Sequence, residues 1–186
     1  MKKYEMTSNY KIFLEKKLFQ IRALVDLCNG VKAGELGGYI EKEENLSQSD
    51  NAWVGGNARV TGDACVTDNA YVTDNAWVGG NALVTGDAYV TDNARVSGNA
   101  LVGGNAYVTD NANINSNADL LQITGLGSVH RATTVYRTQE DGIEIICGCF
   151  RGDLEQFKKQ VIKTREGKVR DEYLKFAELI EIYFRL

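Results

Sequence analysis

Residues 54 to 125 read VGGNAR, VTGDAC, VTDNAY, VTDNAW, VGGNAL, VTGDAY, VTDNAR, VSGNAL, VGGNAY, VTDNAN, INSNAD and LLQITG, twelve contiguous hexads without an insertion. The first position is Val in ten of them, then Ile114 and Leu120; the fifth is Ala in eleven, from Ala58 to Ala118, then Thr124. The third and fourth positions are mostly Gly-Asn, Asp-Asn or Gly-Asp. An Ala, one free residue and a Val form a period-two segment, with two side chains on one side flanking one on the other. Gly, Asp and Asn tolerate left-handed backbone angles and bond locally, which is turn chemistry. Each hexad therefore predicts a very short strand followed by a corner.

An α-helix is excluded, because β-branched Val every six residues does not follow a 3.6-residue period and Gly-Asn pairs break helices. A corner every six residues also leaves no length for the strands of a flat sheet. The chain must turn steadily and stack on itself, as repeat architectures do. Three hexads per coil make a triangular prism of about four coils, roughly 19 Å tall at ~4.8 Å per stacked strand. Its core is a column of Val and Ala, and residues 18 apart lie one above the other. The class is mainly β: a parallel β-helix over residues 51–127, an N-terminal β cap over 1–50, and a C-terminal β-hairpin and two-helix module over 128–186.

The pattern of an aliphatic residue, a small or polar one, two free residues, a small residue and a free one resembles the hexapeptide-repeat family; Val54-Gly55-Gly56-Asn57-Ala58-Arg59 and the next ten hexads fit it. The resemblance implies a left-handed helix and assembly as a homotrimer. The hand comes from the resemblance alone, because generic crossover rules favour the right hand.

The sixth residue of each hexad points outward, and sorting these by 18 gives three faces. One carries Trp53, Tyr71, Tyr89 and Tyr107 and predicts a continuous aromatic ladder. Each large ring offers about 150–250 Å², so the strip should meet a subunit, a ligand or a partner, or stack on itself. The second face carries Arg59, Trp77, Arg95 and Asn113, where cation–π stacking or a planar anion such as a nucleotide fits. The third carries Cys65, Leu83, Leu101 and Asp119, and its aliphatic part is an expected subunit seam.

A β-helix exposes raw strand edges at both ends, which need covers. Residues 10–25 predict a hairpin around Glu15-Lys16-Lys17, and residues 31–41 lead into the first coil. After the repeats, Thr133–Thr138 and Ile143–Phe150 flank Asp141-Gly142, a hairpin signal. Asp153 with Gln156 predicts a capping box opening a helix whose stripe is Leu154, Phe157 and Val161. A second helix should place Tyr173, Phe176, Ala177, Ile180, Tyr183 and Phe184 on one face, docked on the prism end or a neighbouring subunit.

The formal net charge is −4, and residues 51–125 hold two cations, Arg59 and Arg95, against seven Asp. A phosphate backbone needs a dense positive surface, so duplex nucleic acid is not expected as a partner. The start of the chain lacks the apolar stretch of a signal peptide and no run is long enough to span a bilayer, so a cytoplasmic protein, of a cell or of an infected host, is expected. Cys28, Cys65, Cys147 and Cys149 make no paired C-x-x-C motif, and one His does not complete a zinc site, so reduced thiols and no metal or cofactor are expected.

The flanks sharpen the resemblance. Phe19-Gln20-Ile21-Arg22-Ala23-Leu24, Gly34–Glu41 and Asn45-Leu46-Ser47 are similar to bacterial and phage proteins of this family that carry an acyltransferase name, and Cys147–Phe157 resembles a module of phage-encoded members. Acyltransferases of the family use a His base and a loop that leaves the prism. This chain has one His, His130, beyond the clear hexads, and no loop within the coils. The expected function is a non-catalytic trimeric scaffold that binds a nucleotide or a host protein through its outer aromatic and Arg side chains. In its concrete form it is a viral accessory protein that blocks or sequesters a host-defence component. The alternatives are acyl transfer through His130 and a purely structural role.

Overall fold

The computed structural model describes residues 2–186. The chain opens with β1 (Tyr4–Phe13) and β2 (Lys16–Ala23), an antiparallel hairpin, followed by β3 (Leu36–Ile40). Next come eleven two-residue strands, β4 to β14, one per hexad. β4 is Trp53–Val54, and each later strand starts six residues further on, down to β14 at Asn113–Ile114. After them come β15 (Leu120–Leu126), β16 (Arg131–Arg137), β17 (Ile143–Cys147), β18 (Phe150–Gly152), α1 (Leu154–Thr164) and α2 (Gly167–Phe184). The result is a parallel β-solenoid of about four coils between a β cap and an α+β module.

The hexad's physical logic holds position by position. Every Ala from Ala52 to Ala112 and every Val from Val54 to Val108 at the inward positions is buried. Strands pair in parallel at an 18-residue offset, Tyr71 with Tyr89, Trp77 with Arg95 and Leu83 with Leu101. The third position takes the left-handed backbone in each of the first ten hexads, from Gly56 (φ 55°) to Asp110 (φ 50°). Glycine bears this at no steric cost, whereas other L-residues lose about 1–2 kcal/mol. The aspartates there recover part of that locally. Asp68 accepts from the Thr85 hydroxyl and from the Gly86 N–H (3.1 Å), and Asp74 and Asp92 accept from Thr91 and Thr109. The fourth position adds an amide ladder: Asn51 donates to Asn69, and Asn69 to Asp87, each at 3.0 Å.

The solenoid stops one hexad earlier than the repeat pattern predicts. Ser116 stands where Gly or Asp would turn the corner, and its φ is −153°. It opens a short 3-10 turn over Asn117–Asp119 instead, with the Asp119 carboxylate accepting from the Ser116 N–H at 2.9 Å. Leu120-Leu121-Gln122-Ile123-Thr124-Gly125 therefore makes no coil. It forms most of β15, which pairs antiparallel with β16 in the sheet β15–β16–β17–β18.

At the other end the coil begins before the regular repeats. β3 pairs in parallel with β5, Tyr39 against Arg59, and Leu46 bridges Val66. β1 and β2 extend that same sheet, so its order runs β1–β2–β3–β5–β8–β11–β14. The hairpin turn falls on Leu14-Glu15 (φ 49° and 63°), one step before the expected charged trio. Two left-handed residues give the twist a two-residue hairpin needs. β1 also starts at Tyr4, earlier than its apolar pattern suggests, because backbone pairing with β2 does not depend on side-chain polarity.

The C-terminal module has its own core, where Ile145 and Val135 pack with Phe157, Val161, Tyr173, Phe176 and Ile180. Asp153 and Gln156 form the expected capping box, at 2.8 and 3.1 Å. Tyr183 departs from the buried stripe of α2: it is part-exposed, and its hydroxyl donates to the carbonyls of Asn117 (2.8 Å) and Leu120 (3.1 Å), tying α2 to the end of the last coil. No described helix is long and apolar enough to cross a membrane.

Two outcomes follow. Gly80→Ala places a Cβ 2.9 Å from the Gly98 backbone at a left-handed position, so urea melts should show a loss of about 1–3 kcal/mol. The Thr85 hydroxyl and the Gly86 N–H hold the Asp68 carboxyl below its ordinary value of 3.8. The unfolded carboxyl therefore takes its proton first as pH falls, and this stabilisation is present above the unfolded value and lost below it. The urea midpoint should fall between about pH 5 and pH 3, and less so in Asp68→Asn.

Candidate ligand-binding site

The predicted outward stripes exist along the coils, except that Asp119, in the 3-10 turn, does not continue the third, and the cap and the module change what each presents. On the aromatic face, Tyr71 and Tyr89 stack at 5.6 Å and 10°, and Tyr89 and Tyr107 at 5.4 Å and 6°. Offset stacking of this kind satisfies ring faces within the chain. Trp53 does not join this ladder as a surface ring. It is 1% exposed, packed beneath β3, where Gly37 lies so close that a Cβ would stand 2.7 Å from the indole. Trp53 is core, and the free ladder is three tyrosines, ending in Tyr107 at 43% exposure.

On the third face Leu83 and Leu101 are 37% and 46% exposed, while Cys65 is half-buried below them and burial pushes its thiol upward. This face is flat and aliphatic.

The second face carries a cleft. The tip of the β1–β2 hairpin reaches over it, so that Phe13 meets the Trp77 ring edge-on at 5.9 Å and lies under the Arg59 guanidinium at 4.4 Å. The Trp77 indole N–H donates to Thr61 Oγ1 at 2.9 Å, which fixes the ring. Phe13, Leu14, Arg59, Asn75, Trp77, Asn93 and Arg95 line a cleft of about 340 Å³. Sequence reasoning marked Arg59, Trp77 and Arg95 but missed Phe13 and Leu14. Their signal was an apolar pair at a hairpin turn, where solvent-facing polar residues are the rule.

The electrostatics of this cleft are unbalanced. Arg59 engages the Asn75 carbonyl at 2.7 Å, and its Nε is buried with no acceptor. Burial, and then the charge of Arg95, pull the Arg59 guanidinium below its ordinary value. Lys11, stacked on Tyr39 at 3.5 Å, is likewise lowered by burial and then by Arg59. Among the described residues, no carboxylate lies within 4.0 Å of Lys11, Arg59 or Arg95. In a chain of net charge −4, three neighbouring cations lack an acidic partner. A desolvated, uncompensated guanidinium is costly, and a bound anion removes that cost.

His130 lies elsewhere, exposed in the turn between β15 and β16, with Nδ1 3.2 Å from the Gly125 carbonyl. Among the described residues there is no cluster of three or more His, Cys, Asp or Glu able to hold a metal. No family model matches the chain, and no curated protein matches it.

The two tryptophans give a direct optical test of this placement. Acrylamide should quench Trp77 and spare Trp53. Phe13→Ala should raise the quenching constant, and Trp77→Phe should leave only blue-shifted, poorly quenched emission.

Proposed function

We propose that this chain is a non-catalytic binding protein that holds a planar, anionic ligand of the nucleotide class in the cleft between the hairpin tip and the Arg59–Trp77–Arg95 stripe, and that it acts as a homotrimer. The single observation that carries the reading is the set of carboxylate-free cations, Arg59 and Arg95 with Lys11 nearby, set around aromatic walls. Guanidinium groups pair with phosphate through charge-assisted hydrogen bonds. Trp77 and Phe13 supply faces and edges for a base, a contact worth about 1–3 kcal/mol per stacked base. The cleft volume of about 340 Å³ lies at the lower end of small-molecule sites.

The homotrimer rests on the resemblance to hexapeptide-repeat proteins and on the exposed Leu83 and Leu101 of the third face. The resemblance to phage-encoded members supports a biological version, in which the cleft sequesters a nucleotide signal of host defence in the host cytoplasm. Acyl transfer is the less favoured reading, since His130 sits in the β15–β16 turn of the C-terminal module, away from the elements that build the cleft.

Calorimetry with adenosine and guanosine monophosphates tests the binding reading. Measurable affinity is expected, weakened about tenfold or more by Arg95→Ala, as loss of a charged hydrogen bond predicts, and also by Phe13→Ala. Absence of heat with both nucleotides at millimolar concentration overturns it and leaves a structural role, whereas affinity for coenzyme A that depends on His130 revives acyl transfer. Light scattering on the purified chain should give three times its 20.5 kDa mass. Leu101→Asp should lower that value, and a monomer mass for the unaltered chain defeats the trimer.

A further inference from the structure

The geometry points to a second, independent anion site in the C-terminal module, suited to a phosphate monoester of an apolar or aromatic group. A pocket of about 470 Å³ opens between β16, the β17–β18 turn and α1. Its floor is apolar: Cys147, Phe157 and Val161 are all buried, and Phe150 forms a side wall whose ring meets Phe157 edge-on at 5.3 Å. Its rim carries Arg131 from β16 and Arg165 from the C-terminal cap of α1.

Both rim guanidiniums lack a counterion. Among the described residues no carboxylate lies within 4.0 Å of either, whereas the third arginine of the rim, Arg151, is engaged by Glu144 at 2.7 Å and by Asp110. Arg131 is packed at its guanidinium, and Arg165 is anchored through its backbone. Arg131 lies against the left-handed turn at Gly148 (φ 61°), where a Cβ would strike its guanidinium. The Arg165 N–H donates to the Val161 carbonyl at 2.9 Å, and its own carbonyl accepts from Arg170 Nε at 2.7 Å.

Two cations without a counterion on the rim of one pocket suit a dianion, and a phosphate monoester carries about −1.5 to −2 charge at neutral pH. A carboxylate leaves one guanidinium unbalanced. The apolar floor takes a hydrocarbon or ring rather than water, which separates this ligand class from inorganic phosphate. Cys149 lines the same pocket and is exposed, so its thiol reports occupancy.

Calorimetry with phenyl phosphate on the full chain is the test, with inorganic phosphate and benzoate as comparison ligands. Phenyl phosphate should bind at least about tenfold more tightly than either, and Arg131→Gln or Arg165→Gln should each weaken it about tenfold, the loss expected for one charged hydrogen bond. The comparison is made in an Arg95→Gln background, which disables the cleft under the hairpin, so the two sites fail or succeed separately. In a Cys28→Ser background, saturating phenyl phosphate should slow iodoacetamide alkylation of Cys149 several-fold. Unchanged alkylation, equal affinity for inorganic phosphate, or wild-type affinity in both arginine variants overturns the proposal. Circular dichroism of the variants guards against reading misfolding as lost binding.

Discussion

The backbone ladder between coils is the constraint on which the rest depends. The N–H of each outward residue from Trp53 to Arg95 donates to the Ala carbonyl of the next coil, as from Trp53 to Ala70, Tyr71 to Ala88 and Tyr89 to Ala106, at 2.8 to 2.9 Å. The residue after each Val does the same to the next Val carbonyl, as from Gly55 to Val72 at 2.8 Å. These bonds form only if every coil has the same length and corner geometry, because buried backbone groups must be paired. One residue more or less in a hexad would swap the faces of every side chain beyond it. The repeat is therefore strict at Ala, Val and the corner, and free at the outward position.

That freedom lets one rigid prism carry three different stripes. The stripes differ in how fully the chain satisfies them. Tyrosines stack on one another and leave little unmet, whereas Arg59 and Arg95, 36 residues apart, repel, and corner carboxylates such as Asp68, Asp74 and Asp92 are already bonded to threonines. Cations without a carboxylate partner meet aromatic or apolar walls in the cleft beneath the hairpin and in the arginine-rimmed pocket of the C-terminal module.

The solenoid's core was legible because its signal is periodic and local. The corner chemistry also explains where it ends: Ser116 makes an ordinary extended-to-3-10 transition, and with no further coil to receive β15, its backbone groups pair with β16. Read as a pattern, Leu120 to Gly125 passes for another hexad, because a leucine at the first position satisfies the hydrophobic rule while carrying no information about what lies beyond. Trp53 misled for a related reason. Its place in the hexad is outward, but β3 packs against it and brings Gly37 onto that face. Outward in the repeat and exposed in the molecule are separate properties wherever another element lies on the face.

By itself the sequence determined the inward Ala–Val column, the 18-residue stacking, the outward stripes and the capped start of α1, since each follows from the geometry of neighbouring residues along the chain. The tertiary structure alone decided that Phe13 packs against Arg59 and Trp77, that Trp53 is buried, and that Arg131 and Arg165 line one pocket. These depend on segments far apart in sequence meeting across a sheet edge or a module boundary, and no short-range pattern encodes such a meeting.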